Sequence, residues 1–198
     1  MADIPSTRER ILDVALSSFG TRGYEATSLD ALAAELGLSK QTILHHFGTK
    51  DGLLDAVIDR SAAELSHVLE RALASAGRGF DRVDALVRTV FRIAARRPEV
   101  LGLVREVTRL GPPATVRLTD ALEPLVVRAR AFLEAEMASG AMRVQDPRLL
   151  LLSAYSTVIG VATEVEVLRA VGFEPTARSL IQRRNELLAF LRSALVAD

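Results

Sequence analysis

The sequence predicts an all-α protein of about nine helices. Apolar residues recur three and four positions apart along almost the whole chain, and strand-like alternation is scarce. Glycine and proline punctuate that pattern at helix-length intervals, at Arg97-Pro98, Gly111-Pro112-Pro113, Gly140 with Pro147, and Gly172 with Pro175.

The spacing predicts a first helix over 7–20, with Ile11, Leu12, Ala15, Leu16 and Phe19 on its apolar face. Gly20 and Gly23 can stop it. Thr27 or Ser28 can cap a second helix lined by Leu29, Leu32, Ala33 and Leu36, with Asp30 in the first turn where the helix dipole favours an acid. Gly37 ends it. Ser39 caps a short third helix reaching about His46, and Gly48 breaks it. A fourth helix follows over 50–75. The stretch 75–81 reads as a loop, and further helices are expected over 81–96, 98–110, 113–139, 147–171 and 176–196. The early helices are short and the later ones long, so a functional boundary is placed between residues 1–55 and 56–198.

Composition narrows the function classes. Of 198 residues, 49% are hydrophobic, enough for a packed core and too many for a disordered chain. Cysteine is absent, which excludes disulfides and thiol chemistry and fits a reducing compartment; the expected location is cytoplasmic. The N-terminus lacks the apolar run of a secretory signal. The most apolar late stretch, 149–162, is too short for a membrane span and is followed by Glu164 and Glu166, so no membrane partner is expected. Basic and acidic residues number 25 each, and residues 1–60 hold six Lys/Arg against nine Asp/Glu. That balance counts against nucleic-acid binding until the charges are placed in space. From Leu36 to Lys50, however, there are two lysines, two histidines and no acid.

Residues 28–47, SLDALAAELGLSKQTILHHF, have the form of two helices joined by a tight turn at Gly37, Leu38 and Ser39. Ile43 and Phe47 are four apart and share the packing face. Lys40, Gln41, Thr42, Leu44 and His45 are left for the outer face. Gln41 can pair with an adenine edge, Lys40 with guanine acceptors or a phosphate, and Thr42 with a base or phosphate oxygen. Leu44 can cover a thymine methyl but donates nothing. Ser39 at the helix start and Lys50 at the next one suit phosphates, which position a protein without specifying sequence. The residues alone leave two readings open, a DNA-reading pair or an ordinary packed helix pair.

Residues 8–60 strongly resemble the N-terminal domain of the TetR family of transcriptional regulators. The resemblance rests on Ile11, Ala15 and Phe19, the Gly23-Tyr24 pair, Thr27-Ser28, and the core Ala33, Gly37, Leu38 and Ser39. Thr42, His46, Phe47, Lys50, Leu53 and Leu54 complete it. It implies a helix-turn-helix domain that binds double-stranded operator DNA through Thr27, Ser28, Ser39, Lys40, Gln41, Thr42, Leu44, His45 and Lys50. Two departures stand out. Gln41 replaces a common glycine, and Leu44 replaces a tyrosine that often contacts phosphate, so the operator sequence does not carry over.

His45 and His46 are not expected to bind metal. Adjacent helical residues point about 100° apart, and a helix-borne pair of ligands prefers a spacing of four. His45 is expected to contact the DNA backbone and His46 to be packed.

Residues 61–198 contain no phosphate-binding loop, no nucleophile arrangement and no metal motif, so no catalytic residue, metal or cofactor is expected. The resemblance implies a ligand-binding and dimerisation domain there. Its apolar effector pocket would draw on Phe91, Leu103, Val104, Val107, Leu118, Leu122, Tyr155, Ile159 and Thr163, with Leu125, Phe132 and Thr157 as further candidates. Ordinary core packing is the competing reading for each apolar residue, and a salt bridge or solvated face is the competing reading for Glu164 as a contact to a cationic ligand. The resemblance also implies a homodimer through the last two helices, and a repressor released from a pseudo-palindromic operator by a small molecule. The competing class is a helical enzyme or scaffold that retains a helix-turn-helix-like domain.

Overall fold

The computed structural model describes residues 5–196, apart from the side chain of Val165. Among these residues there are ten helices: α1 (Thr7–Arg22), α2 (Leu29–Leu36), α3 (Lys40–Phe47), α4 (Lys50–Ser75), α5 (Phe80–Arg96), α6 (Pro98–Leu110), α7 (Ala114–Ala138), α8 (Pro147–Thr163), α9 (Val165–Ala170) and α10 (Ala177–Leu195). An isolated antiparallel bridge joins Met142 to Val196.

Capping chemistry sets most of the helix starts. Ser6 and Glu9 exchange side-chain and backbone bonds in a capping box at α1. Ser28 accepts from the Ala31 N–H, Ser39 from the Thr42 N–H, and Asp146 from the Arg148 and Leu149 N–H groups. Gly37 ends α2 in the left-handed region at φ 67°, returning its N–H to the last carbonyls of that helix. α7 continues through Pro124, which removes one backbone donor inside the helix.

The helix expected over 147–171 divides into α8 and α9. Glu164 leaves the helical region, at φ −79° and ψ 77°. Two side chains take carbonyls near the end of α8: Arg183 donates to the Val161 carbonyl, and the Thr163 hydroxyl to that of Ile159. Those acceptors no longer depend on a continuing helix.

The chain forms two compact units, one made of residues up to Glu64 together with Pro98–Leu122, the other of Leu65–Arg97 and the residues from Glu123 on. In the first, α2 packs on both α1 and α3, and α1 packs extensively on α6. Ile11, Leu16, Phe19, Leu32, Ile43, Leu53, Val57, Ile58, Leu103 and Val107 are all sealed from solvent there. α1 and α6 touch backbone to backbone. A Cβ added at Gly102 would overlap the Gly20 carbonyl, and one added at Gly20 would overlap the Glu99 carbonyl. In the second unit, α5, α8 and α10 pack on one another around Phe80, Val87, Phe91, Val158, Leu187 and Leu191. Val161, Leu180 and Leu188 join this layer. A smaller cluster gathers Leu133, Met137 and Met142.

Glycine is therefore a packing requirement at the α1–α6 crossing. Gly102→Ala is expected to lower unfolding free energy by about 3 kcal/mol in urea titration, at the upper end of overpacking costs. Gly160 in α8 has open space around its Cβ position. Gly160→Ala should instead stabilise by roughly 0.5–1 kcal/mol through helix propensity.

Candidate nucleic-acid interface

The α2–α3 pair is held by one fully buried residue of α3, Ile43, which sits against the side of the unit that includes Leu32. With Ile43 inward, Lys40, Gln41 and His45 are exposed, and Thr42 and Leu44 are half-buried. The Ser39 hydroxyl accepts the Thr42 N–H at 3.1 Å and lies 2.9 Å from the Thr42 hydroxyl, fixing the first turn of α3. Lys40 is paired with Asp30 of α2 at 2.9 Å. Both side chains are well exposed, so the pair is worth about 0–1 kcal/mol and is easily exchanged.

Lys50 is placed differently. Its ammonium lies 4.0 Å from the centre of the Tyr24 ring. The Tyr24 hydroxyl donates to Asp51, and its ring meets Phe19 edge-on at 5.3 Å between centroids. The Tyr24 backbone N–H donates to Glu106 Oε1 of α6 at 2.6 Å. Arg109 holds the same carboxylate through two bonds of 2.8 Å. Burial and the bond to Asp51 push the Tyr24 hydroxyl far above its ordinary pKa. Glu106 is held below its ordinary value, first by Arg109 and also by the Tyr24 N–H, against the opposing effect of burial.

Two sequence expectations are corrected. Thr27 is 2% exposed and its hydroxyl donates to the Gly23 carbonyl at 2.8 Å. It braces the turn before α2 and its side chain is not available to DNA; Ser28 is the exposed cap. His46 was expected to be packed, yet it is exposed in the last turn of α3. Its ring lies 5.7 Å from that of His45 and 6.0 Å from that of Phe47. Among the described residues no group of three His, Asp or Glu side chains could hold a metal ion.

The expected effector residues fall in both units. Leu103 and Val107 are buried on α6, and Val104, Leu118 and Leu122 are half-buried, all in the first unit. Phe91, Tyr155, Ile159 and Thr163 belong to the second. Phe91 is 3% exposed and borders a cavity of about 230 Å³ between α5 and α10, together with Arg92, Leu180 and Arg184. Tyr155 is 49% exposed. Ile159 and Thr163 are half-buried and bonded to each other. Glu164 is not free to serve as an isolated anion.

Residues 11–57 match the profile of the bacterial regulatory proteins of the tetR family. Over that segment the chain is similar to the TetR family of transcriptional regulators. The HTH-type transcriptional regulator BetI of Rhizobium meliloti (strain 1021) is 32% identical over 98 residues, covering 50% of this chain and 48% of that relative. The chain thus spans about half the length of that relative. A regulator from Saccharomonospora viridis solved in complex with choline superposes with a TM-score of 0.79 at 22% identity, over 96% of this chain and 98% of that one. FadR of Bacillus subtilis, solved in complex with stearoyl-CoA, superposes with a TM-score of 0.77 at 16% identity, over 92% and 96% of the two chains. At such identities the superpositions establish the shared all-helical fold. No described helix is long and apolar enough to cross a membrane.

The raised Tyr24 pKa has a measurable sign. The folded protein keeps the phenol proton where the unfolded chain has lost it, so this contribution to stability is intact below about pH 10 and is lost as pH rises further. Alkaline absorbance titration of wild type minus Tyr24→Phe should show a phenol that ionises well above the ordinary range, together with unfolding. A difference curve with an ordinary midpoint in folded protein would contradict the Tyr24–Asp51 bond.

Proposed function

We propose that the protein is a ligand-responsive transcriptional repressor that binds a pseudo-palindromic operator as a homodimer. In this reading residues 1–55 are the DNA-binding part and 56–198 the sensing and dimerising part. The observation that carries it is the outer face of α3. Lys40, Gln41 and His45 project from a helix whose opposite side is anchored by Ile43, within a segment that has the TetR-family pattern. Gln41 is the base reader, with Thr42 and Leu44 beside it. Ser28, Ser39, Lys40, His45 and Lys50 contact the backbone.

Dimerisation through α8–α9 and α10 is supported by large apolar side chains left outside the core. Leu149, Leu152 and Tyr155 are spaced three apart on α8 and are 63%, 60% and 49% exposed; Phe190 on α10 is 60% exposed. A second copy of the chain is the partner that such a face fits, because two reading helices then span half-sites about 34 Å apart.

The effector is a small, largely apolar molecule. Among the aromatic rings of the second unit, Phe80 carries Arg192 at 4.4 Å and Phe132 carries Arg82 at 5.3 Å. Recognition of a quaternary ammonium relies on open aromatic faces. Phe80 and Phe132 each carry one of the chain's own cations, whereas Tyr155 and Phe190 of the same unit are exposed. Release from DNA needs a coupling of about 2–3 kcal/mol between the effector and operator sites.

The test is binding to a duplex of the gene's own upstream region against a scrambled duplex at fixed near-physiological salt. A strong preference for the upstream duplex is the expected result. Equal binding to that duplex, to the scrambled one and to every fragment in a genome-wide selection would refute the reading. Gln41→Ala should reduce discrimination at one base pair per half-site by about 1–3 kcal/mol while leaving binding to random DNA unchanged. Leu152→Arg should shift the protein from dimer to monomer in sedimentation; an unaltered dimer would remove α8 from the interface.

A further inference from the structure

We propose that Tyr24 is a positioning residue for DNA binding. It holds the Lys50 ammonium for the phosphate backbone and is itself held by Glu106 of α6. The inference rests on Lys50 being a backbone contact, as read above. It assigns roles to Tyr24 and Glu106, which belong to neither the reading helix nor the contact set.

Three features of the geometry support it. Lys50 is the first residue of α4, where the helix dipole disfavours a cation, and it forms no ion pair among the described residues. The side chain instead rests on the Tyr24 ring, 4.0 Å from its centre. The acid next to Lys50 in sequence, Asp51, accepts the Tyr24 hydroxyl. Tyr24 thus supplies an electron-rich face to the lysine and occupies the carboxylate next to it. The ammonium is left oriented and available to an incoming phosphate, since an aromatic face compensates a cation less strongly than a carboxylate would.

The ring is in turn fixed from two sides. Phe19 of α1 packs against its edge. Glu106, whose side chain is only 10% exposed, receives the Tyr24 N–H and lies against Gly23, where an added Cβ would be 3.3 Å from its carboxylate. Gly23 sits at φ 91°, a conformation that favours glycine, and ends α1. Residues 23 and 24 are therefore bound to α6 by a charge-assisted bond, and Lys50 is bound to residue 24. Asp30, the acid paired with Lys40, lies outside this chain of contacts, so the two lysines are held by unrelated devices.

The experiment is a double-mutant cycle between residues 24 and 50 in the full-length protein. Affinity is read for the selected operator duplex and for a random duplex across a salt series. Lys50→Ala should weaken binding to both about tenfold and lower the salt slope by about one. Tyr24→Leu should weaken both about threefold to fivefold, the size of a lost cation–π contact, and should have no further effect in the Lys50→Ala background. Tyr24→Phe keeps the face but releases Asp51, and should weaken binding by less than Tyr24→Leu. Glu106→Ala should reproduce the Tyr24→Leu loss, and Glu106→Gln, which keeps an acceptor for the Tyr24 N–H, should restore most of it.

The outcomes separate the two layers of the argument. If Lys50→Ala leaves the salt slope unchanged, Lys50 is no phosphate contact, and both that part of the functional reading and this inference fail. If Lys50→Ala acts as expected but Tyr24→Leu costs as much in its presence as in its absence, the contact stands and the positioning role is overturned. Should Tyr24→Leu fail to fold, the Glu106→Ala and Glu106→Gln pair against Lys50→Ala supplies the same cycle, and additivity there overturns the proposal equally.

Discussion

The backbone contact between α1 and α6 at Gly20 and Gly102 organises the first unit. Two helices can come this close only where neither carries a Cβ at the crossing. The consequence extends along both helices. Glu106 lies four residues beyond Gly102, on the same side of α6, and Tyr24 lies four residues beyond Gly20. Fixing the crossing therefore places the carboxylate against the end of α1, where it meets the Tyr24 N–H at 2.6 Å. Glu106 lies 82 positions from Tyr24 in the chain, yet α6 packs with the N-terminal helices as part of their unit. A larger side chain at either glycine would do more than cost packing energy, because it would withdraw the support under Tyr24.

The net acidity of residues 1–60 is reconciled with DNA binding once its acids are placed. Glu9 is consumed by the capping box of α1, and Glu35 pairs with Arg22 at 3.3 Å. Asp13 pairs with Arg60 at 2.8 Å, and Asp55 and Asp59 with Arg117 of α7 at 3.4 Å and through a bidentate bond. Asp51 takes the Tyr24 hydroxyl. Each of these acids has a partner inside the unit, while Glu25 is exposed. Asp30 is on the reading side, and it is paired with the one exposed lysine of α3. An exposed pair of this kind exchanges partners at little cost, so a phosphate can replace Asp30 at Lys40. Net charge along a sequence is a poor guide to a local field when so many acids are spent on neighbouring cations.

Local chemistry was legible in the sequence, and long-range chemistry was not. The expected limits of α4 at 50–75 and α6 at 98–110 coincide with the observed helices, because Thr49, Pro98 and Gly111 act on their immediate neighbours. The helix-turn-helix was legible for the same reason, its turn residues and apolar spacing all lying within twenty residues. The break at Glu164 was hidden, since the Val161 carbonyl is taken by Arg183, a residue 22 positions away. Thr27 and Ser28 were equivalent as candidate caps; burial against the Gly23 carbonyl is what separates them. The list of effector residues mixed both units because nothing in the spacing of α6 reveals that it packs on α1. Tyr24 was visible only as half of a Gly-Tyr pair, and Glu106 carried no signal, its role being created by the crossing.

A reading helix of eight residues cannot owe its shape to its own sequence. Isolated helices shorter than about 12–15 residues are marginal in water. α3 also contains five residues of indifferent helix propensity, Thr42, Ile43, His45, His46 and Phe47. What holds it is a serine cap at one end, Gly48 at the other, and the burial of Ile43 between them. The outer side chains contribute little to that support, since Gln41 and His45 are exposed and no side-chain hydrogen bond ties Gln41 to a neighbour among those described. In the proposed function, folding and reading are thereby assigned to opposite faces of one short helix. On that reading, substitution on the outer face changes what is recognised at almost no cost in stability, whereas substitution of Ile43 removes the buried contact that holds the helix. This separation lets Gln41 and Leu44 depart from the usual residues of the family without disturbing the scaffold beneath them.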